Sequence, residues 1–185
     1  SHAQVLGYET RSRTAANALI NISINLSSVT GRPAKLTLDK GKQFSSSIDG
    51  VTYTFRTREA INASDDGTGL YVFKNAAGSD NISITEGIEK TKTFIVGEKT
   101  ERQIYIIPDE TIDTLTADVK VFESTSSSNF TTFTPLREAI TVNADTTHFS
   151  LHESPNGFYE LNFGDGVSFG KSPEPGEKVE VKYLS

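Results

Sequence analysis

His148 and His152, four residues apart with Glu153 adjacent, come nearest in this chain to a metal-ligating pattern. On a helix that spacing puts both imidazoles on one face, where they can share a zinc ion. The surrounding stretch, Thr146 to His152, is rich in Thr and Phe and reads as strand instead. On a strand, residues i and i+4 share a face but lie about 13 Å apart, too far to ligate one metal. No metal site is expected there.

Asp65-Asp66-Gly67-Thr68-Gly69 and Gly164-Asp165-Gly166 supply the carboxylates and flexible carbonyls that a calcium ion prefers. Neither has the alternating ligand positions or the closing glutamate of an EF-type loop. Asp and Gly are also the residues that tight turns with positive φ demand, and both stretches read as turns. A hydrolytic triad needs a positioned histidine, and apart from His148 and His152 the chain has only His2. None of its many serines lies in a G-x-S-x-G setting, and no pair of carboxylates stands out for glycoside hydrolysis. The expectation is a protein that is not an enzyme, with no catalytic residues and no cofactor. N-x-S/T sequons at Asn21, Asn25, Asn62, Asn81 and Asn129 are read as solvent-facing polar positions in a chain rich in Asn, Ser and Thr.

The elements that must carry these residues are strands. Ile20, Ile22, Ile24 and Leu26 alternate with Asn21, Ser23, Asn25 and Ser27, which predicts a half-buried strand over 18–27. Ala34, Leu36 and Leu38 repeat the pattern after Gly31-Arg32-Pro33, as do Val51, Tyr53 and Phe55 after the serine-rich bend 45–50. Further strands are expected at 70–73, around Ile82 and Ile84, and at 93–96, 103–108 and 117–122, with 124–129 an exposed serine loop. Helix is confined to 8–18, one turn within 109–115, and 135–140. The predicted fold is all-β: two small antiparallel sandwich-like lobes with little helix, 1–92 and 93–185. No 18-residue apolar run suggests a membrane span.

Phe158 to Lys171, followed by a Pro/Gly-rich connector and Val179 to Leu184, reads as two strands joined through three glycines around one aspartate, a hairpin with an elaborate turn. The succession Asn162-Phe163, Gly164-Asp165-Gly166, Phe169-Gly170-Lys171, Pro175-Gly176 and a terminal Val/Tyr strand resembles a signature of the baseplate J-like family, which forms the wedges of contractile, T4-type phage tails. Lys40-Gly41-Lys42-Gln43-Phe44, then Asp49-Gly50 and the strand Val51 to Thr57, is similar to the early part of the same family. The resemblance implies a structural role for Phe163, Gly164, Asp165, Gly166, Gly170 and Lys171: the glycines fix the bend, Asp165 caps backbone amides and Phe163 anchors the hairpin. It implies no catalytic, cofactor or metal residues. The partners it implies are further copies of the chain and other wedge proteins, in a virion tail baseplate assembled in the host cytoplasm.

Composition agrees with a packed structural module. The 185 residues include no cysteine, which leaves no disulfide, thiolate metal site or thiol nucleophile. There is no methionine either, and Ser1-His2 reads as an expression scar on a piece of a longer protein. A net charge of −6 argues against a nucleic-acid binder. Residues 1–92 carry 11 basic against 9 acidic side chains and 93–185 carry 7 against 15, which reads first as ordinary scatter of surface charge and, more sharply, as opposite-signed ends suited to docking. The same polar strands also fit a β-sandwich adhesin recognising surface glycans, which a concave aromatic site would distinguish.

Overall fold

A computed structural model describes residues 16–99, 103–139 and 141–185. The chain is nearly all β and divides into two units, residues 15–88 and a second that takes in 89–185. Among the described residues helix is limited to one 3-10 turn, Leu136–Glu138, within the predicted 135–140. Of the predicted helix over 8–18, residues 8–15 lie outside the described residues, and Asn17 and Ala18 already belong to a strand. No described helix is long and apolar enough to cross a membrane.

The first unit contains β1 (Asn17–Ile20), β2 (Ser23–Asn25), β3 (Lys35–Leu38), β4 (Gln43–Ile48), β5 (Val51–Thr57), β6 (Ile61–Ser64), β7 (Leu70–Val72) and β8 (Ile82–Glu86). A four-stranded sheet has the order β1-β8-β5-β4, and the remaining strands form the pairs β2–β7 and β3–β6. The alternation over 18–27 does place Ala18, Ile20, Ile22, Ile24 and Leu26 on one core. The single strand predicted there is two, because β1 pairs with β8 while β2 turns to β7. The centre of the core is Ile61, Ala63, Tyr71, Phe73, Ile82 and Ile84, with the Tyr71 hydroxyl donating to the Pro33 carbonyl. Asp49 (φ 51°) and Gly50 (φ 78°) form the two-residue turn of the β4–β5 hairpin. Positive φ at both positions is the twist that right-handed strands accept, and Asp-Gly tolerates it.

The second unit contains β9 (Glu89–Ile95), β10 (Tyr105–Ile107), β11 (Asp113–Phe122), β12 (Phe130–Pro135), β13 (His148–Glu153), β14 (Tyr159–Asn162) and β15 (Lys178–Leu184). They form one seven-stranded sheet in the order β10-β14-β13-β12-β11-β15-β9, nearly closed into a barrel. Its edge strands meet through side chains. Phe94 on β9 packs edge-on against Tyr105 on β10 at 5.3 Å, and the Gln103 amide bridges from the Ile95 carbonyl to the Gly97 amide. Every pairing is antiparallel except β12 with β13, which run parallel. Val119, Val121, Val179 and Val181 from the paired strands β11 and β15 fill the interior with Ile107, Ile112, Phe133, Phe149 and Leu161.

Three expectations shift. Residue 92, the expected boundary, lies inside β9, which pairs along its whole length with β15; the division falls between Ile88 and Glu89. The helical turn expected within 109–115 is a reverse turn at Glu110 and Thr111 followed by β11. The two strands read as a C-terminal hairpin do not pair with each other. β14 lies between β10 and β13, and β15 between β11 and β9, so both edges of each strand are already taken. The segment joining them is also far longer than a hairpin turn.

Candidate functional site

Phe163 to Lys171 forms a self-closed loop where β14 leaves the barrel. The Gly164 amide donates to the Lys171 carbonyl at 3.2 Å and the Gly166 amide to the Gly170 carbonyl at 2.9 Å. The Lys171 amide in turn donates to the Thr146 carbonyl at 2.7 Å, tying the loop to the approach to β13. Phe163 roots it, its ring edge-on to Tyr105 at 5.6 Å and to Phe133 at 5.3 Å, against the barrel core.

Asp165 is the organising side chain. Its Oδ1 accepts from the amides of Val167, Ser168 and Phe169 at 2.8, 2.9 and 2.8 Å, and its Oδ2 accepts from the Ser168 hydroxyl at 3.4 Å. These donors, the Phe169 amide foremost, hold the carboxyl well below the usual carboxylate range, at about 2. A carboxylate so engaged is a poor proton acceptor. Its work is to fix backbone. Glycine is required at two points for different reasons. Gly170 has φ +91°, and a Cβ there would overlap the His148 ring. A Cβ on Gly164 would overlap the carbonyl group of Gly170 across the neck of the loop.

His148, considered above as a metal ligand, is buried beneath this loop. Its Nε2 lies 3.1 Å from the Phe169 carbonyl, and its ring meets the Phe169 ring edge-on at 5.3 Å. His152 is exposed and 3.1 Å from the Ser150 hydroxyl, so the pair shares no site. Among the described residues no three His, Cys, Asp or Glu side chains cluster as a metal site. At the other candidate turn, Asp65 accepts from the amides of Gly67 and Gly69, both at 2.9 Å, and from Arg32 Nε at 2.6 Å. Asp66 accepts from the Thr68 amide at 2.8 Å and hydroxyl at 2.6 Å. Both carboxylates are committed to turn geometry.

The loop holds its apolar tip in solvent: Val167 is 78% and Phe169 51% exposed. Beside it a cleft of about 440 Å³ is lined by Val96, Gly97, Gln103, Tyr105, Asp165 and Val167 among others. Tyr105 is the one aromatic ring in that lining. Six sequence-predicted residues thus meet in one loop, with Lys171 contributing through its backbone. Sequence reasoning missed His148 as the loop's support, since nothing local links it to Gly170. Comparison of the chain with protein-family models and with curated proteins gave no match.

A second network ties the same unit together away from the loop. Asp109 accepts from Lys90 Nζ at 3.1 Å, from the Thr111 hydroxyl at 2.7 Å and amide at 2.9 Å, and from the Ser185 hydroxyl at 3.3 Å. Burial pushes this carboxyl upward, but those donors outweigh it and hold it below the ordinary range. Burial, with Asp109 nearby, pushes the Tyr183 hydroxyl up to about 12.

Both carboxyls, Asp109 and Asp165, are depressed in the folded state relative to about 3.9 in an unfolded chain. Their contribution is therefore complete above about pH 4 and is lost as pH falls through the folded values. Amide exchange at Val167, Ser168 and Phe169, corrected for the intrinsic rate, is expected to hold steady from pH 7 to about 4 and to accelerate toward about 2. Asp165→Asn should raise exchange at these amides at pH 7 and abolish the acid step there. An unchanged profile in the variant would show that the carboxylate does not hold the loop.

Proposed function

We propose that this chain is a structural section of a baseplate wedge protein of the J-like kind. It links copies and neighbouring wedge components into the ring around the hub of a contractile phage tail and rearranges on contraction. One observation carries this reading: the residues of the signature, Phe163 to Lys171, form a loop whose backbone is fixed by Asp165 and whose Val167 and Phe169 face solvent. Pre-ordered apolar side chains on a rigid body lose little entropy on docking, which suits a permanent assembly contact. The engaged state of the carboxylates supports a mechanical role over a chemical one. In such a ring the protein acts by geometry, with rigid β units passing load between neighbours. The cleft beside the loop is lined by a single ring and four charged side chains, Glu98, Lys99, Asp165 and Glu174, and favours no glycan-stacking alternative.

Immunogold labelling tests this directly, with antibody to this chain applied to tailed particles from a lysate that contains it. The expected result is label at the distal end of the tail, lost when Val167 and Phe169 are both changed to Asp in the particle-borne gene. Label confined to bacterial envelopes, with bare tails, would overturn the tail reading in favour of an adhesin.

A further inference from the structure

We infer that β4 is a self-pairing edge, through which two copies of this chain join their four-stranded sheets antiparallel about a two-fold axis at Ser46. β4 is the last strand of the order β1-β8-β5-β4, so among the described residues one side of its backbone has no strand partner. Edge strands are ordinarily protected by charge, proline or a bulge. Gln43-Phe44-Ser45-Ser46-Ser47-Ile48 carries no charge and no proline, and its register with β5 runs unbroken from Gln43↔Arg56 to Ile48↔Val51.

The hairpin fixes which groups face outward. With a two-residue turn at Asp49-Gly50, Ile48 and Val51 are a hydrogen-bonded pair, and alternation turns Phe44, Ser46 and Ile48 toward β5. The Thr57 amide bonded to the Lys42 carbonyl at 3.0 Å continues that parity at the base of the hairpin. The amides and carbonyls of Gln43, Ser45 and Ser47 are thus the ones left at the free edge.

Only a register that keeps the core faces together can use them. Centring on Ser46 sets Ser45 opposite Ser47 of the second copy, both with outward backbone groups, and Ser46 opposite itself as a non-hydrogen-bonded pair. The same register lays Ile48 against Phe44 of the second copy. Phe44 and Phe55 pack on the core of the unit, whereas Ile48, Val51 and Tyr53, on the same face further along, are 59%, 52% and 37% exposed. The overhanging tip of one copy therefore extends the core of the other. Charge agrees as well: Asp49 comes opposite Gln43 and next to Lys42 of the second copy. Hydrogen-bond parity, apolar overlap and charge all select a second copy of this strand. The inference is carried by β4 alone, independently of the tail reading.

Because the chain has no cysteine, single cysteines report without background. In the inferred register the Ser46 Cα atoms lie about 4.5 Å apart across the axis, within disulfide range. Ser46→Cys should therefore form a covalent dimer under mild oxidation at least about tenfold faster than Ser45→Cys or Ser124→Cys. Sedimentation of the unmodified chain should show a monomer–dimer equilibrium that Ile48→Asp weakens by about tenfold or more. Equal crosslinking rates for the three cysteines would overturn the inference, as would a monomer at all concentrations up to about 1 mM. A chain that crosslinks through Ser46 yet labels no tail keeps this inference and loses the tail reading, and the converse result does the reverse.

Discussion

Gly164→Ala is expected to destabilise the 89–185 unit by about 3 kcal/mol, the upper part of the range for forcing atoms into a filled site. The added Cβ would overlap the carbonyl carbon and oxygen of Gly170 and crowd the Phe169 carbonyl, all backbone atoms that cannot rotate away. Relief requires opening the neck, which breaks the Gly164–Lys171 and Gly166–Gly170 hydrogen bonds. For a unit of this size that loss lowers the melting temperature by roughly 15 °C. Gly166→Ala is the internal comparison. Its nearest neighbour would be the Ser172 Cβ at 3.4 Å, an ordinary contact, so only the strain of φ +76° remains, about 1 kcal/mol. Differential scanning calorimetry of the two variants checks the order. Equal losses would mean that conformational strain, and not the crowded neck, governs the loop.

Phe73→Ala should unfold the 15–88 unit while leaving the 89–185 unit folded. Phe73 is fully buried among Ile61, Ala63, Tyr71, Ile82 and Ile84, a small central core. Truncating a buried phenylalanine typically costs about 3–5 kcal/mol, which approaches the whole stability of a unit this short. The two units have separate cores, so the damage stays on one side. Amide exchange read residue by residue provides the measurement: β6, β7 and β8 lose protection, whereas β11 and β15 keep theirs. Joint loss of protection would show that the units unfold as one.

The strands were legible where one face of the chain is core and the other solvent. Ala18 to Leu26, Leu36 and Leu38 alternate because each second side chain is half-buried against the core, and the structure uses that face throughout. Less legible was partnership. Alternation fixes a face but not a neighbour, so the break that sends β2 away from β8 left no mark, nor did the separation of β14 from β15. The turn chemistry of Asp165 was readable because it is local: aspartate accepts from amides two to four residues ahead, a relation written in the sequence itself. The His148 support was unreadable for the opposite reason. It acts across 21 residues, and a strand histidine gives no signal of the loop that will cover it.

The position of β15 bears on how this protein is made. It follows every other strand of its sheet in chain order, yet it lies between β9 and β11 and pairs residues as distant in sequence as Glu89 and Leu184. Until it arrives, β9 has no strand to join and β11 is paired on one side only. Closing so long a chain segment has an entropic cost before contacts repay it, which sets such topologies among the slower folders, in the millisecond-to-second range. A nascent chain stalled before Lys178 would leave the edges of β9 and β11 that β15 covers open to its surroundings, the condition in which strands mispair.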